Sequence, residues 1–378
     1  MPQESPINVL QLIEGLSFGG AETKLLELIA RMDQSRFRTV VCSLGMGDRI
    51  KSKFDQLNVK FVSFKRRGRI DPKIIWDVAK LIRDEKIDVV MTTLFYADVV
   101  GALARAISPA KAVFSWETIS APEWLQRHRL LAYRFAMRYC DKVVSVSNAT
   151  ADWLIEKRGV HRDKVMVIPY GVDLSLYHVG RNPALKASLG IPAESPVVGV
   201  VARLHPQKGH RYLIEAARSI VASHPKVHFV FVGDGEMRPE LEKQVHKHHL
   251  KEHFHLLGFR DDVKDLLKTF DIFVLPSLYE GLPNVVLEAM ATGLPVVATA
   301  VDGTAELIVD NETGFLLPPK NPPELASKIV FLLDDAGRRK RFGVKGRERV
   351  ELNYSLEKQV NSFQKLFEGY VLNGAAKH

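Results

Sequence analysis

Two α/β domains, each a doubly wound parallel sheet, are what this sequence predicts, and three observations predict it. The chain has 378 residues, more than one ordinary hydrophobic core serves and suited to two domains of roughly 150–200 residues. Short apolar runs alternate with longer amphipathic stretches from end to end, the pattern of βαβ units whose helices cover both faces of a parallel sheet. Near residue 170 the alternation breaks at "IPYGVDLSLYHVGRNPALKASLGIPAESP", rich in Pro, Gly and Asn, and then restarts.

In residues 1–170 the runs "NVLQLI", "TVVCSL", "KFVSF", "DVVMTT", "AVFSW", "KVVSVS" and "KVMVIPYG" read as strands. Helical patterns such as 20–31, 72–84 and 122–139 lie between them. The second domain, 171–355, repeats the scheme with "VVGVVAR", "VHFVFVGDG", "HFHLLGF", "DIFVLPS" and "LPVVAT". A last helical segment at about 356–378 follows a break at "ELNYSLE" and is expected to pack back on the first domain. Ligands of such sheets bind beyond the carboxyl ends of the strands. With two domains facing across a cleft, a motif carries weight when it follows a strand and so points into that cleft.

An apolar content of 46% beside 26% charged residues is that of a soluble globular protein with a large core. No apolar run reaches the roughly 18–20 residues of a membrane span, and "MPQESPINVLQLIEG" lacks the basic-then-apolar order of a signal peptide. The two cysteines, Cys42 and Cys140, sit among apolar residues and read as reduced core residues of a cytoplasmic protein. The net charge of +9 is uneven: residues 1–170 hold 27 Lys and Arg against 19 Asp and Glu, the remainder 26 against 25. The first half is therefore expected to meet something anionic, with plain solubility as the competing account. Nucleic acid is not the expected partner, because no module interleaving basic residues with exposed aromatics is present.

Four stretches could carry chemistry. "LSFGGAETK" (16–24) follows the first strand and opens a helix; Gly19 and Gly20 let a ligand approach helix-start amides that favour an anion. A plain glycine turn with Glu22 in the first helical turn is the bland alternative. "VVARLHPQKGH" (200–210) places Arg203 and Lys208 across a turn at a strand end, where they could clamp a diphosphate. "VGDG" (232–235) is a further glycine turn, with structural use at least as well supported, and Asp234 a candidate helix cap. In "SLYEGLPNVVLEAMATGLPVVAT" (277–299), Glu280 sits in the loop after a buried strand and Glu288 about one turn into the next helix. Pro283 suits the first turn of that helix. Amides of Gly281, Leu282, Asn284 and Val285 beside acceptor-only carboxylates suit a polyhydroxyl ligand that carries phosphate, which is a nucleotide sugar. The tract "HKHHLKEHFH", with His246, His248, His249, His253 and His255, shows no metal-ligand pattern of defined geometry and reads as a basic helix end leading into a strand.

Taken in order, "FGGAE", "SVSNAT", "IPYGVD", "GVVARLHPQKGH", "VGDG", "LGFRDDV" and "EGLPNVVLEAMATGLPVVAT" resemble the retaining GT-B glycosyltransferases of glycosyltransferase family 4, the glycosyl transferases group 1, over nearly the whole chain. The resemblance identifies Glu280 and Glu288 with the family's E-x7-E pair. It implies two Rossmann-like domains, Arg203 and Lys208 on the donor diphosphate with help from Gly19 and Gly20, and Glu280 on the donor sugar. It also implies Glu288 on the ribose, the base received around Leu257, Gly258 and Phe259, retention at the anomeric carbon, and no cofactor or obligatory metal. The expected reaction is transfer of a hexose or N-acetylhexosamine from a nucleotide-diphosphate sugar, UDP-sugar first, to a lipid-linked oligosaccharide, lipopolysaccharide or exopolysaccharide acceptor.

At one position the resemblance fails. Many relatives place a histidine after the strand in the middle of the first domain, where this chain reads "AVFSWETIS". Glu117 is a candidate sugar or acceptor contact there, or a buried strand-end carboxylate that caps its neighbour. The rivals are an epimerase-like GT-B enzyme, for which no additional acid–base set can be assembled, a soluble-acceptor transferase, and an inactive sugar-nucleotide sensor, which would lack part of the Arg203, Lys208, Glu280 and Glu288 set. The basic excess concentrates in "KRRGR" (65–69) and "WLQRHRLLAYRFAMR" (124–138). There Arg127, Arg134 and Arg138 share a face flanked by Leu130, Leu131, Phe135 and Met137, a mixture suited to an anionic lipid surface. The localisation this implies is cytoplasmic and peripheral at the inner face of the cell membrane. No motif speaks to the oligomeric state.

Overall fold

The computed structural model describes residues 5–16, 19–45, 51–57, 59–65 and 71–372. The chain divides into two compact units, Met1–Tyr170 with Leu356–His378, and Gly171–Ser355. The first unit runs β1 (Ile7–Ile13), α1 (Gly20–Arg31), β2 (Phe37–Ser43), α2 (Lys51–Asp55), β3 (Lys60–Ser63), α3 (Lys73–Asp84), β4 (Val89–Thr93), α4 (Phe95–Arg105), β5 (Ala112–Glu117), α5 (Arg127–Ala136), β6 (Lys142–Ser145), α6 (Asn148–Trp153) and β7 (Val165–Val167). The second runs α7 (Pro183–Ser188), β8 (Val197–Val201), α8 (His210–Ser223), β9 (His228–Val232), α9 (Arg238–Lys247), β10 (Phe254–Leu256), α10 (Val263–Leu267), β11 (Ile272–Leu275), α11 (Asn284–Ala291), β12 (Val296–Thr299), α12 (Thr304–Leu307), β13 (Gly314–Leu317), α13 (Pro322–Asp334) and α14 (Ala336–Asn353). The closing helix, α15 (Leu356–Val371), belongs to the first unit.

Both sheets are parallel throughout, in the orders β3-β2-β1-β4-β5-β6-β7 and β10-β9-β8-β11-β12-β13. Central strands such as β8 (VVGVV) and β11 (IFVL) are apolar without alternation and buried at every residue, as strands covered on both faces must be. In each sheet the strand order reverses once, between β1 and β4 and between β8 and β11. Such a reversal sends neighbouring loops to opposite faces and leaves a crevice at the strands' carboxyl ends.

One core of the first unit gathers Leu10, Leu12, Val40, Val90 and Val113 with apolar residues of α3, α4 and α5. The opposite face is closed partly by α15. Phe367 stacks on Phe114 with ring centroids 5.9 Å apart, Phe363 meets Trp116 edge-on at 5.1 Å, and Glu368 pairs with Arg36. Aromatic pairs of this kind add to the burial that holds a helix on a sheet. The second unit's core joins Val198, Val200, Phe229, Phe231, Val274 and Phe315.

The strand β13 falls in "GFLL", which carries no alternation and too few residues to show a period. It forms because Val296–Thr299 offers an open edge in register with Gly314–Leu317. The stretch 122–139 is not one helix: a 3-10 turn at Pro122–Leu125 precedes α5. Of the basic run 65–69, residues 66–69 lie outside the described residues.

Candidate active site

The reversal between β8 and β11 brings two loops side by side in the second unit. After β8 the chain makes a 3-10 turn, Pro206–Lys208, and enters α8 through Gly209 at φ 65°. A Cβ at Gly209 would overlap the Pro276 carbonyl, so both the left-handed backbone and the close approach to the neighbouring loop call for glycine. That contact ties the cation-bearing loop to the loop that follows β11.

Lys208 and Glu280 meet there. Lys208 Nζ is 2.6 Å from Glu280 Oε1, and the Ser277 hydroxyl donates to the same oxygen at 2.6 Å. Both charged side chains are largely out of water, at 15% and 6% exposure. Two donors on Oε1 leave Oε2 to accept from a ligand hydroxyl. Arg203, in contrast, is exposed, and its side chain has no partner among the described residues. The loop thus presents one cation paired with a carboxylate, with further N–H donors left over, and one cation exposed to solvent.

Past Glu280, Gly281, Leu282 and Pro283 are buried and α11 begins at Asn284. Pro283 is the N-cap, at φ −73° and ψ 109°, rather than a residue of the first turn. Its missing N–H costs nothing at a position outside the helical bonds. Asn284, Val285 and Glu288 are half-buried, and Glu288 is the fifth residue of α11, on the turn above Asn284. Helix-start amides and a carboxylate one turn on therefore share the region beside Glu280.

"VGDG" supports this loop pair. Gly233, at φ 134°, lies against the Ala202 carbonyl and donates its N–H to the Gly258 carbonyl at 2.8 Å. Asp234 does not cap α9; it accepts from the Gly235 N–H at 2.8 Å, and Met237 is the N-cap. Gly258, at φ 71°, follows β10, and Phe259 next to it is exposed.

Two buried side chains of this loop carry no functional signal in the sequence. Gln207 is buried; its carbonyl accepts from the Leu278 N–H at 2.7 Å and its Nε2 donates to the Tyr279 carbonyl at 2.8 Å. His210 is 2% exposed with neither ring nitrogen partnered. Burial, with the Lys208 charge nearby, lowers its pKa to about 3, so the ring stays neutral.

In the first unit, Gly19 is the N-cap of α1 in an extended conformation, and Glu22, buried, folds its carboxylate back against it. The position an anion would take at this helix start is shared with a carboxylate, which suits a ligand hydroxyl better than a phosphate. Glu117, the last residue of β5, is not presented to a ligand. It is 1% exposed and bonded to Arg158 at 2.7 Å, and Arg158 itself is fully buried. The guanidinium lies over the Tyr133 ring at 3.2 Å from its centroid, with Trp124 at 5.4 Å and Trp153 at 5.8 Å. Burial, and the Glu117 charge after it, push the neighbouring Asp98 carboxyl well above the usual range. Of the two readings of Glu117, the buried strand-end carboxylate is the one seen.

The histidine tract is placed as a helix end and a strand: α9 closes on His246 and Lys247, and His255 on β10 meets His228 on β9 at 3.0 Å. Among the described residues no group of three or more His, Cys, Asp or Glu is arranged to hold a metal. No helix of the described residues is long and apolar enough to cross a membrane.

Comparison with known proteins agrees with this architecture. The family model described as Glycosyltransferase Family 4 matches residues 18–176, and that described as Glycosyl transferases group 1 matches 182–349. The UDP-Gal:alpha-D-GlcNAc-diphosphoundecaprenol alpha-1,3-galactosyltransferase of Escherichia coli is 30% identical over 316 residues, covering 80% of this chain and 81% of its own. The alpha-D-kanosaminyltransferase of Streptomyces kanamyceticus is 30% identical over 248 residues, 64% of this chain and 62% of its own. Among solved structures, HepE of Anabaena in complex with UDP-glucose superposes with a TM-score of 0.85 at 26% identity, covering 96% of this chain and all of that one. With two parallel-sheet units, cation and carboxylate loops at the strand reversal, and these matches along both halves, the chain belongs to glycosyltransferase family 4 and is a glycosyltransferase of the GT-B fold.

Proposed function

We propose that this glycosyltransferase moves a hexose or N-acetylhexosamine, with retention, from a UDP-sugar to a lipid-linked glycan acceptor in the making of a cell-surface polysaccharide. The observation that carries the reading is the Lys208–Glu280 pair set beside the uncommitted Arg203 at the β8/β11 reversal. In this reading Arg203 and Lys208 take the charge of the departing diphosphate, which needs no metal where fixed cations and helix amides already supply positive potential. Glu280 Oε2 accepts from donor-sugar hydroxyls, Glu288 holds the ribose, the amides of Gly281, Leu282, Asn284 and Val285 face the ligand's oxygens, and Gly258 and Phe259 receive the base.

Uridine as the base is supported by HepE, whose structures contain UDP and UDP-glucose. Retention is supported by the alpha linkage named for the Escherichia coli relative, and a lipid-linked acceptor by that relative's diphosphoundecaprenol substrate. The first unit supports the acceptor side. On α5 and the turn after it, Leu131, Phe135 and Tyr139 recur every four residues and are 61%, 50% and 40% exposed. Arg127, Arg134 and Arg138 flank them, all exposed, with no Asp or Glu between 127 and 139. Met137, by contrast, is in the core and leaves this face. An apolar stripe edged by arginines suits the headgroup region of an anionic membrane.

A second reading, in which the acceptor is small and water-soluble, is supported by the 2-deoxystreptamine glucosyltransferase of Streptomyces kanamyceticus, 30% identical over 207 residues, 53% of this chain and 54% of its own. A hydrolysis and transfer screen over UDP-glucose, UDP-galactose and UDP-N-acetylglucosamine, with GDP- and ADP-glucose as controls, tests the donor. Turnover confined to GDP- or ADP-sugars, or none with any donor in the presence of lipid-linked acceptor, rejects the reading.

A further inference from the structure

The loop that carries Glu280 is gripped at five successive backbone positions. The Ser277 carbonyl accepts from Thr299 Oγ1 at 2.5 Å. The Leu278 N–H donates to the Gln207 carbonyl at 2.7 Å, and the Tyr279 carbonyl accepts from Gln207 Nε2 at 2.8 Å. The Glu280 N–H donates to Asp302 Oδ2 at 2.7 Å, and the Gly281 carbonyl accepts from the Gly303 N–H at 3.0 Å. Gln207 comes from the loop after β8, while Thr299, Asp302 and Gly303 come from the end of β12 and the turn after it. The residues nearest the Glu280 side chain are thus held from the side by one strand-end loop and from behind by another.

Asp302 is the unusual member. It stands at φ 40°, in the left-handed region that favours glycine and that few other residues than Asn and Asp tolerate. It is half-buried, and burial, opposed by the Glu280 N–H and reinforced by the Glu280 charge, raises its carboxyl pKa. A glycine would meet the backbone requirement more easily, but it would leave the Glu280 N–H without that acceptor. Local strain and a bond to the carboxylate-bearing residue coincide here, a pairing characteristic of sites where the loop's position matters to chemistry.

We propose that Asp302 is a positioning residue for the transferase reaction: by fixing the Glu280 backbone it sets where the Glu280 carboxylate meets the donor sugar. This rests on the reading of Glu280 as the sugar contact. Lys208 and Ser277 hold the tip of the Glu280 side chain, Asp302 holds its root, and together they leave the free oxygen one place to be. A loop released at its root keeps its residues and loses its aim. Misplacement of a substrate-orienting group by about 1 Å is enough to cost on the order of 10²-fold in rate.

Two variants separate positioning from simple structure. D302G removes the acceptor while relaxing the backbone, so its two effects on stability oppose each other; D302N keeps an acceptor oxygen and tolerates φ 40°. Each is assayed with whichever of UDP-glucose, UDP-galactose and UDP-N-acetylglucosamine the wild type turns over fastest, and titrated with UDP. D302G is expected to lose turnover by roughly 10–100-fold with UDP affinity and thermal midpoint unchanged, and D302N to recover most of the loss. Turnover of D302G equal to wild type, or a matching loss of UDP affinity, overturns the inference. E280Q, run alongside, keeps the two ideas apart. If E280Q is impaired and D302G is normal, only the role of Asp302 fails; if E280Q is itself normal, the reading of Glu280 fails beneath it.

Discussion

Lys208 Nζ and Glu280 Oε1 lie 2.6 Å apart on loops 72 residues distant in sequence, and the Ser277 hydroxyl shares the same oxygen. The pair is mostly withdrawn from water, so each member is held by the other, while Arg203 stays exposed. The two cations of this loop should therefore fail differently when removed.

Arg203→Ala is expected to lower turnover by about 10²–10³-fold, the scale of losing a donor that stabilises transition-state charge. Its thermal midpoint should not move. Lys208→Ala should lower turnover similarly and also lose up to about 3 kcal/mol of stability, because it leaves the Glu280 carboxylate buried without its counter-charge. Steady-state kinetics beside thermal unfolding of both variants checks this. Near-normal turnover in both removes them from the diphosphate site.

Glu280 and Glu288 should divide between sugar and nucleotide. Glu280→Gln is expected to impair transfer and sugar discrimination while UDP affinity stays roughly the same. Glu288→Ala should weaken UDP itself, by about 1–3 kcal/mol if its carboxylate accepts from a ribose hydroxyl. Calorimetric titration of both variants with UDP decides, and the opposite pattern reverses the two roles.

The first unit's buried ion pair should matter to folding rather than to donor binding. Glu117→Ala leaves the Arg158 guanidinium uncompensated among Trp124, Tyr133 and Trp153 and is expected to cost about 3–5 kcal/mol. Glu117→Leu combined with Arg158→Met should recover much of that loss, since it removes both charges together. Urea unfolding measures this, with UDP affinity of the folded variants unchanged. A fully stable Glu117→Ala variant would contradict the pairing.

His210 predicts a pH dependence of stability. Its folded pKa of about 3 lies below the ordinary 6.5, so the neutral ring's contribution is fully present above pH 6.5 and is lost as pH falls toward 3. At pH 5 the loss attributable to this one ring is about 2 kcal/mol relative to pH 7. His210→Phe should show a flatter decline over that range than the wild type. Equal slopes for the two proteins would mean that the ring is not held neutral.

The stripe on α5 should govern membrane contact. Leu131→Ser with Phe135→Ser is expected to abolish co-sedimentation with vesicles containing phosphatidylglycerol at low salt. Wild type should be retained there and released as salt rises, since each nearby basic residue adds on the order of 1 kcal/mol. No retention of the wild type on anionic vesicles at low salt would point to a water-soluble acceptor instead, and equal partitioning onto neutral and anionic vesicles would remove the arginines from the contact.

The two α/β units and nearly all of their strands were legible along the chain. Continuous apolar runs such as 197–201 and 272–275 can be satisfied only between two helical layers, and glycine and proline punctuate the turns where the backbone demands them. The placement of Arg203, Lys208 and Glu280 in loops after strands, and of Glu288 in the helix that follows, was legible for a related reason: each stands in a motif next to a recognisable strand. Tertiary structure alone decided the rest. Strand order placed β8 beside β11, and with it Lys208 against Glu280, because parallel neighbours in a doubly wound sheet need not be neighbours in sequence. β13 exists through an edge supplied by β12 rather than through its own four residues. Glu117, which invites a ligand role in the sequence, is turned inward because Arg158, 41 residues later, brings it a counter-charge inside an aromatic cage. Gln207 and Asp302 acquire meaning only where their polar atoms meet the Glu280 loop, since a hydrogen bond between loops far apart in sequence follows no period that a single chain can display.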